Sequence, residues 1–131
     1  MDKNKTIFAI DDETPMHFVY EEILAEHYNL FCFASPQEML HMLENTHPDL
    51  IIMDVGLGEM SGYELCEAIK QKEDMALVPV IFVSGHDFSK DKGRAFFSGG
   101  AEYVMKPIDK AHFNELIKKL IEDHQPMAAP K

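Results

Sequence analysis

Short runs of consecutive apolar residues alternate along this chain with longer stretches in which apolar residues recur every three or four positions. Ile7 to Ile10, Leu30 to Phe33, Leu50 to Met53, Pro79 to Val83 and Ala101 to Met105 are runs of the first kind. Turn-forming residues bound them, as expected of strands buried on both faces. The third run, Leu50-Ile51-Ile52-Met53, closes on Asp54 and is followed by Gly56 and Gly58. A carboxylate where a buried strand emerges is costly unless it has partners or a task.

The intervening stretches predict helices. After Asp11-Asp12, Thr14 is the expected cap, with Pro15 at the first helical position, where its missing N–H costs little. Met16, Val19, Tyr20, Ile23, Leu24 and His27 form the inner stripe of that helix. Ser35-Pro36-Gln37-Glu38 reads as a capping box before a helix that turns Met39, Leu40 and Leu43 inward and stops near Pro48. Ser61 and Glu64 have the same spacing before Leu65 and Ile69. A fourth helix within 88–98 has low propensity, because Gly93 and Gly99-Gly100 interrupt it. Asp109 is expected to cap the last helix, whose stripe is Phe113, Leu116, Ile117, Leu120 and Ile121.

Alternating strands and helices predict an α/β fold with a parallel sheet. Right-handed crossovers give a doubly wound, five-stranded sheet in the order 2-1-3-4-5 with five helices. One domain is expected over residues 1–123, with 124–131 as a tail or the start of a linker. Asp11 and Asp12 follow strand one, Asp54 ends strand three, Ser84 follows strand four and Lys106 follows strand five. All sit at carboxyl ends of strands, where sites form in such sheets. Three carboxylates, a hydroxyl and an ammonium should therefore meet in one crevice. Carboxylates so placed need a counter-charge, and their oxygen donors suit a hard cation such as Mg²⁺. A carboxylate beside such a cation and a lysine can attack a phosphoryl group.

Composition narrows the classes. A net charge of −11 argues against direct nucleic-acid binding, which needs a basic surplus. No apolar run is long enough for a membrane span. The N-terminus has no signal-peptide pattern, so a cytoplasmic protein is expected, with Cys32 and Cys66 as reduced, packed thiols. His17, His27 and His41 read as surface or partly buried helix residues.

The motifs Asp11-Asp12, Asp54, Ser84 and Lys106-Pro107, in this order on successive strands, resemble the response-regulator receiver domain over residues 5–123. Ser84 and Lys106 stand at the separations from Asp54 that this family has, and Gly62, Gly100-Ala101 and Tyr103 also fit. The resemblance implies a flavodoxin-like fold and two-component signalling. Asp54 would be the phosphoacceptor, taking a phosphoryl group from a histidine kinase or phosphotransfer protein. Asp12 would bind Mg²⁺ directly, Asp11 through water, and the Gly56 carbonyl would supply a backbone ligand. Lys106 and Ser84 would contact the phosphoryl group, and Ser84 with Tyr103 would switch the face made by helix four, strand five and helix five. A downstream effector and a phosphorylation-dependent homodimer are the further partners implied. A cis Lys106-Pro107 peptide is expected. The chain departs from the family at Gly58, where proline is usual, which should loosen that loop. Gly56 puts no side chain over the site, and His86 is unusual at its position. Gly56 and His86 are expected to modulate phosphoryl lifetime.

Two rivals share parts of this pattern. An Mg²⁺-dependent aspartyl-phosphate phosphatase would carry an acid two residues past the nucleophile, where Gly56 stands. A flavin carrier would need a neutral phosphate loop where the chain has Asp11-Asp12-Glu13.

Overall fold

The strongest apolar runs occupy the middle of a single parallel sheet, because only a strand covered on both faces can bury every side chain. The computed structural model describes residues 4–58, 60–85 and 92–123. Its strands are β1 (Thr6–Ile10), β2 (Asn29–Phe33), β3 (Leu50–Asp54), β4 (Val80–Ser84) and β5 (Glu102–Met105), in the order β2-β1-β3-β4-β5. β3 and β4 are buried throughout, whereas the edge strands β2 and β5 are partly exposed. The helices are α1 (Thr14–Leu24), α2 (Pro36–Leu43), α3 (Gly62–Lys70), α4 (Lys92–Phe97) and α5 (Lys110–Asp123).

Alternation along the strands divides the core in two. Phe8, Ile10, Ile51, Met53, Val80 and Phe82 pack with Met39 of α2, Leu65, Cys66 and Ile69 of α3, and Ala95 of α4. Ile7, Ala9, Leu50, Ile52, Ile81 and Val83 pack on the opposite face with Tyr20, Ile23 and Leu24 of α1 and Phe113, Ile117, Leu120 and Ile121 of α5. Cys66 belongs to the first layer and Cys32 packs against the second, so the sheet separates these free thiols. This is the expected doubly wound architecture. The proposed tail, 124–131, lies outside the described residues.

Local signals are met with informative exceptions. The Ser61–Glu64 box is complete: Ser61 Oγ accepts from Glu64 N–H at 3.2 Å and Glu64 Oε1 from Ser61 N–H at 2.9 Å. At α2, Ser35 Oγ accepts from Glu38 N–H, but Glu38 returns to Ala34 N–H and leaves the box open. Asp109 caps α5 through His112 N–H. The cap of α1 is Glu13, not Thr14, because Asp11 Oδ1 accepts from Glu13 N–H at 2.9 Å and turns the chain one residue earlier. His27 is exposed beyond the end of α1, and Tyr28 covers the core in its place. Strand boundaries shift by one: β4 runs from Val80 through Ser84, with Pro79 contributing only its carbonyl to Ile51 N–H, and β5 begins at Glu102.

The described part of the fourth helix, Lys92–Phe97, lies within its expected span; residues 88–91 lie outside the described set. Gly99, at φ +102°, ends it: Gly99 N–H donates to Phe96 O and Gly100 N–H to Ala95 O, a Schellman stop that favours glycine at the left-handed position. The pair that weakens this helix in sequence therefore serves as its terminator.

Candidate phosphoacceptor site

β1 and β3 are neighbours in the sheet, so the residues leaving them emerge together. Asp11 follows β1 and is fully buried, while Asp12 is exposed. Asp54, the last residue of β3, is only 7% exposed. Carboxylate oxygens of Asp11, Asp12 and Asp54 all lie within 4.8 Å of one another. Among the described residues this is the one such cluster of potential metal-ligating side chains. Its all-oxygen donor set suits a hard divalent cation.

Lys106 crosses from the far side of the sheet to meet them. Its backbone N–H donates to Ser84 O at 2.7 Å, extending the β4–β5 ladder by one residue, and the Lys106-Pro107 peptide is cis, as expected. The ammonium lies 3.0 Å from Asp11 Oδ2, 3.4 Å from Asp54 Oδ1 and 3.6 Å from Glu13 Oε1. Asp12, Asp54, Gly56, Ser84 and Lys106 line one open crevice of about 320 Å³. The residues singled out in the sequence thus converge, with two exceptions. Tyr103 packs on the opposite side of β5, in the core layer beneath α4, which agrees with its odd separation from Lys106. His86 lies outside the described residues.

Electrostatics follow from this crowding. Burial, then the Asp11 charge, push the Asp54 carboxyl up to about 6, against the pull of Lys106. Burial works to lower the Lys106 ammonium, but its bond to Asp11 and the charges of Asp11 and Asp54 leave it raised overall. The cluster is therefore undercompensated by one lysine, a condition that a bound cation relieves.

Two participants were not singled out for this site. His17 Nε2 lies 2.8 Å from the Asp11 carbonyl. A carbonyl can only accept, so this ring nitrogen carries the proton. Glu13 reaches Lys106; the only sequence signal was its place as the third acid in Asp11-Asp12-Glu13. Gly58 adopts φ +85°, which proline cannot, so the departure from the family's usual proline accompanies a different turn.

Comparisons with known proteins agree with this geometry. A family model described as the response regulator receiver domain matches residues 7–118. The chain is 33% identical over 118 residues to the heme response regulator HssR of Staphylococcus saprophyticus, covering 89% of this chain and 51% of that protein. It thus spans about half the length of the HssR relatives it matches. It is also 33% identical over 120 residues to the polar-differentiation response regulator DivK of Brucella ovis, covering 91% of this chain and 98% of that protein. A CheY-like response regulator receiver domain from Methanospirillum hungatei superposes with a TM-score of 0.84 at 27% identity, over 92% of this chain and 95% of the other. Among the described residues, no helix is long and apolar enough to cross a membrane. With the sheet order, the carboxylate cluster and the crossing lysine in place, the match over residues 7–118 assigns this chain to the response regulator receiver domain family of two-component systems.

Proposed function

We propose that Asp54 accepts a phosphoryl group from a phosphohistidine on a partner histidine kinase or phosphotransfer protein. The observation that carries this reading is the Asp54 carboxylate facing an open crevice, with two further carboxylates within 4.8 Å and Lys106 at 3.4 Å. An Asp54 oxygen forms the new bond to phosphorus as the P–N bond breaks. The electron pair stays on the imidazole nitrogen, which leaves neutral when the other ring nitrogen carries a proton. Lys106 pairs with the phosphoryl oxygens and Ser84 hydrogen-bonds one of them. Asp11, Asp12, Asp54 and the Gly56 carbonyl would hold Mg²⁺, which supplies charge neutralisation on the transferring oxygens. Gly56 has open space where a side chain would stand, so this position is suited to govern water access and phosphoryl lifetime; the same role is proposed for His86 from the sequence alone. The absence of an acid at Gly56 disfavours the phosphatase reading, and the chain acts as a signalling phosphoacceptor that assists its own phosphorylation and dephosphorylation. Residues 1–123 form the receiver unit and 124–131 a tail or linker.

The test is to incubate the chain with acetyl phosphate and Mg²⁺ and locate the modified residue by mass spectrometry. Asp54 should be labelled in the parent, and Asp54→Asn should remain unlabelled. Asp12→Ala should lose Mg²⁺ binding in a calorimetric or NMR titration. A label on another residue, or unchanged Mg²⁺ affinity, would refute the respective assignment.

Output is proposed to pass through Ser84 and Tyr103 to the face of α4, β5 and α5, where a downstream effector or a second copy binds, as a shift between two populated states. Two features support this face. A cavity of about 200 Å³ adjoins Tyr103, Ala95 and Phe96, leaving the ring room to turn. Phe96 and Phe97 are 73% and 85% exposed. Beryllofluoride should shift NMR resonances across residues 86–110 in the parent, and Tyr103→Ala should lose most of those shifts. Persistence of the distant shifts in that variant would remove Tyr103 from the pathway.

A further inference from the structure

Glu13 is the N-cap of α1, at φ −97° and ψ 104°, yet its side chain makes no capping hydrogen bond. The caps of α2 and α3, Ser35 and Ser61, both bond back to their helices. The Glu13 carboxylate turns instead toward the crevice, 3.6 Å from the Lys106 ammonium, with its side chain 71% exposed at the rim. Its backbone is anchored by the N–H bond to the buried Asp11 carboxylate, which sets the residue at the mouth of the crevice. Lys106 is the only cationic side chain among the described residues lining the crevice.

We propose that Glu13 is a selectivity residue for the Asp54 reaction: it occupies Lys106 in the resting state and imposes a barrier on incoming phosphodonors that grows with their negative charge. The inference rests on the reading of Asp54 as acceptor. A phosphoryl oxygen that approaches Lys106 must displace the Glu13 contact and pass a carboxylate. The repulsion scales with the product of the charges and weakens with salt, because the site is open to solvent. Glu13 thus disfavours free donors in proportion to their negative charge.

Two small donors of different charge isolate the effect. With acetyl phosphate, a dianion, the Asp54 oxygen–phosphorus bond forms as the bond from phosphorus to the acetyl oxygen breaks, and the pair leaves on acetate. With phosphoramidate, a monoanion, the P–N bond breaks and the nitrogen, already carrying three hydrogens, leaves as ammonia. Neither step needs another reactant. Second-order rate constants are to be measured with Mg²⁺ for the parent chain, Glu13→Gln and Glu13→Asp, with the product confirmed at Asp54 by mass spectrometry. Glu13→Gln should raise the acetyl phosphate constant about fivefold and the phosphoramidate constant about twofold, and the gain should fade near 1 M salt, where the Debye length is about 3 Å. Glu13→Asp, which keeps the charge, should stay close to the parent. No gain in Glu13→Gln, an equal gain with both donors or a gain indifferent to salt would overturn the proposal while leaving Asp54 as acceptor. A parent chain that neither donor labels at Asp54 would overturn both.

Discussion

Asp54→Asn is expected to remove phosphorylation entirely and, in the absence of metal, to make the fold more stable at neutral pH. The second effect follows from the crowding of carboxylates around Asp54. Asp54 titrates near 6 in the fold, above the ordinary carboxylate value of 3.8, first because it is buried and next because Asp11 is negative. Below about pH 4 the group is protonated in both folded and unfolded chains, so the favourable contribution is fully present. Between about 4 and 6 the unfolded chain ionises while the folded one holds its proton, and stability falls as pH rises. Above 6 the deficit is constant, and a rise in pKa of this size corresponds to at most about 3 kcal/mol. Asparagine cannot ionise, so the variant escapes this loss. The value near 6 already includes the attraction of Lys106, and Asp11 and Glu13 still hold that lysine in the variant. A net gain of about 1–2 kcal/mol at pH 7 is expected, vanishing near pH 4. Urea unfolding of parent and variant at pH 4, 6 and 7.5, with chelator present, measures it. Excess Mg²⁺ should then stabilise the parent more than the variant, since only a ligand that prefers the folded chain adds stability. Equal stability of the two proteins at every pH would show that Asp54 carries no such burden.

The second large effect is expected at Gly62. A Cβ there would lie 2.3 Å from the Asp54 carbonyl oxygen and 3.2 Å from Met53 Cγ. The nearest atom belongs to the backbone of β3, so no rotamer change relieves the clash. Gly62 N–H also donates to Val55 O at 2.7 Å, which ties the start of α3 to the strand end that presents the proposed acceptor, Asp54. Gly62→Ala must push α3 off β3, at a cost of about 2–3 kcal/mol. The melting temperature should fall by roughly 10 °C, and phosphorylation of Asp54 should slow, because the carboxylate moves with its backbone. Gly93→Ala is the contrasting variant. Gly93 lies within α4 with nothing within 4 Å of its would-be Cβ, and the same substitution should stabilise by up to about 1 kcal/mol. Similar losses at the two sites would mean that the close approach at Gly62 is not the cause.

Much of the fold is written in local spacing. Leu50 to Asp54 reads as a fully buried strand because each side chain is apolar until the last, and alternation then sends Ile51 and Ile52 into different core layers. Ser61 and Glu64 mark the start of α3 because a capping box needs only residues three apart. Even the convergence of Asp11, Asp12, Asp54, Ser84 and Lys106 is legible, since right-handed crossovers constrain which strand ends can meet.

What spacing could not supply is the outcome of competition between groups distant in sequence. Asp11 and Asp12 are neighbours of the same chemistry, yet Asp11 is sealed in the core against Lys106 while Asp12 faces solvent. That sealed carboxylate also draws in the Glu13 N–H, shifts the cap of α1 from Thr14 to Glu13 and frees the Glu13 carboxylate for the crevice rim. The sequence by itself determined the elements, their order in the sheet and the set of polar residues at its carboxyl edge, because strand and helix periodicities are properties of adjacent residues. Only the tertiary structure decided which acid is buried and which reach the lysine, because both answers depend on an ammonium ninety-five residues away from Asp11.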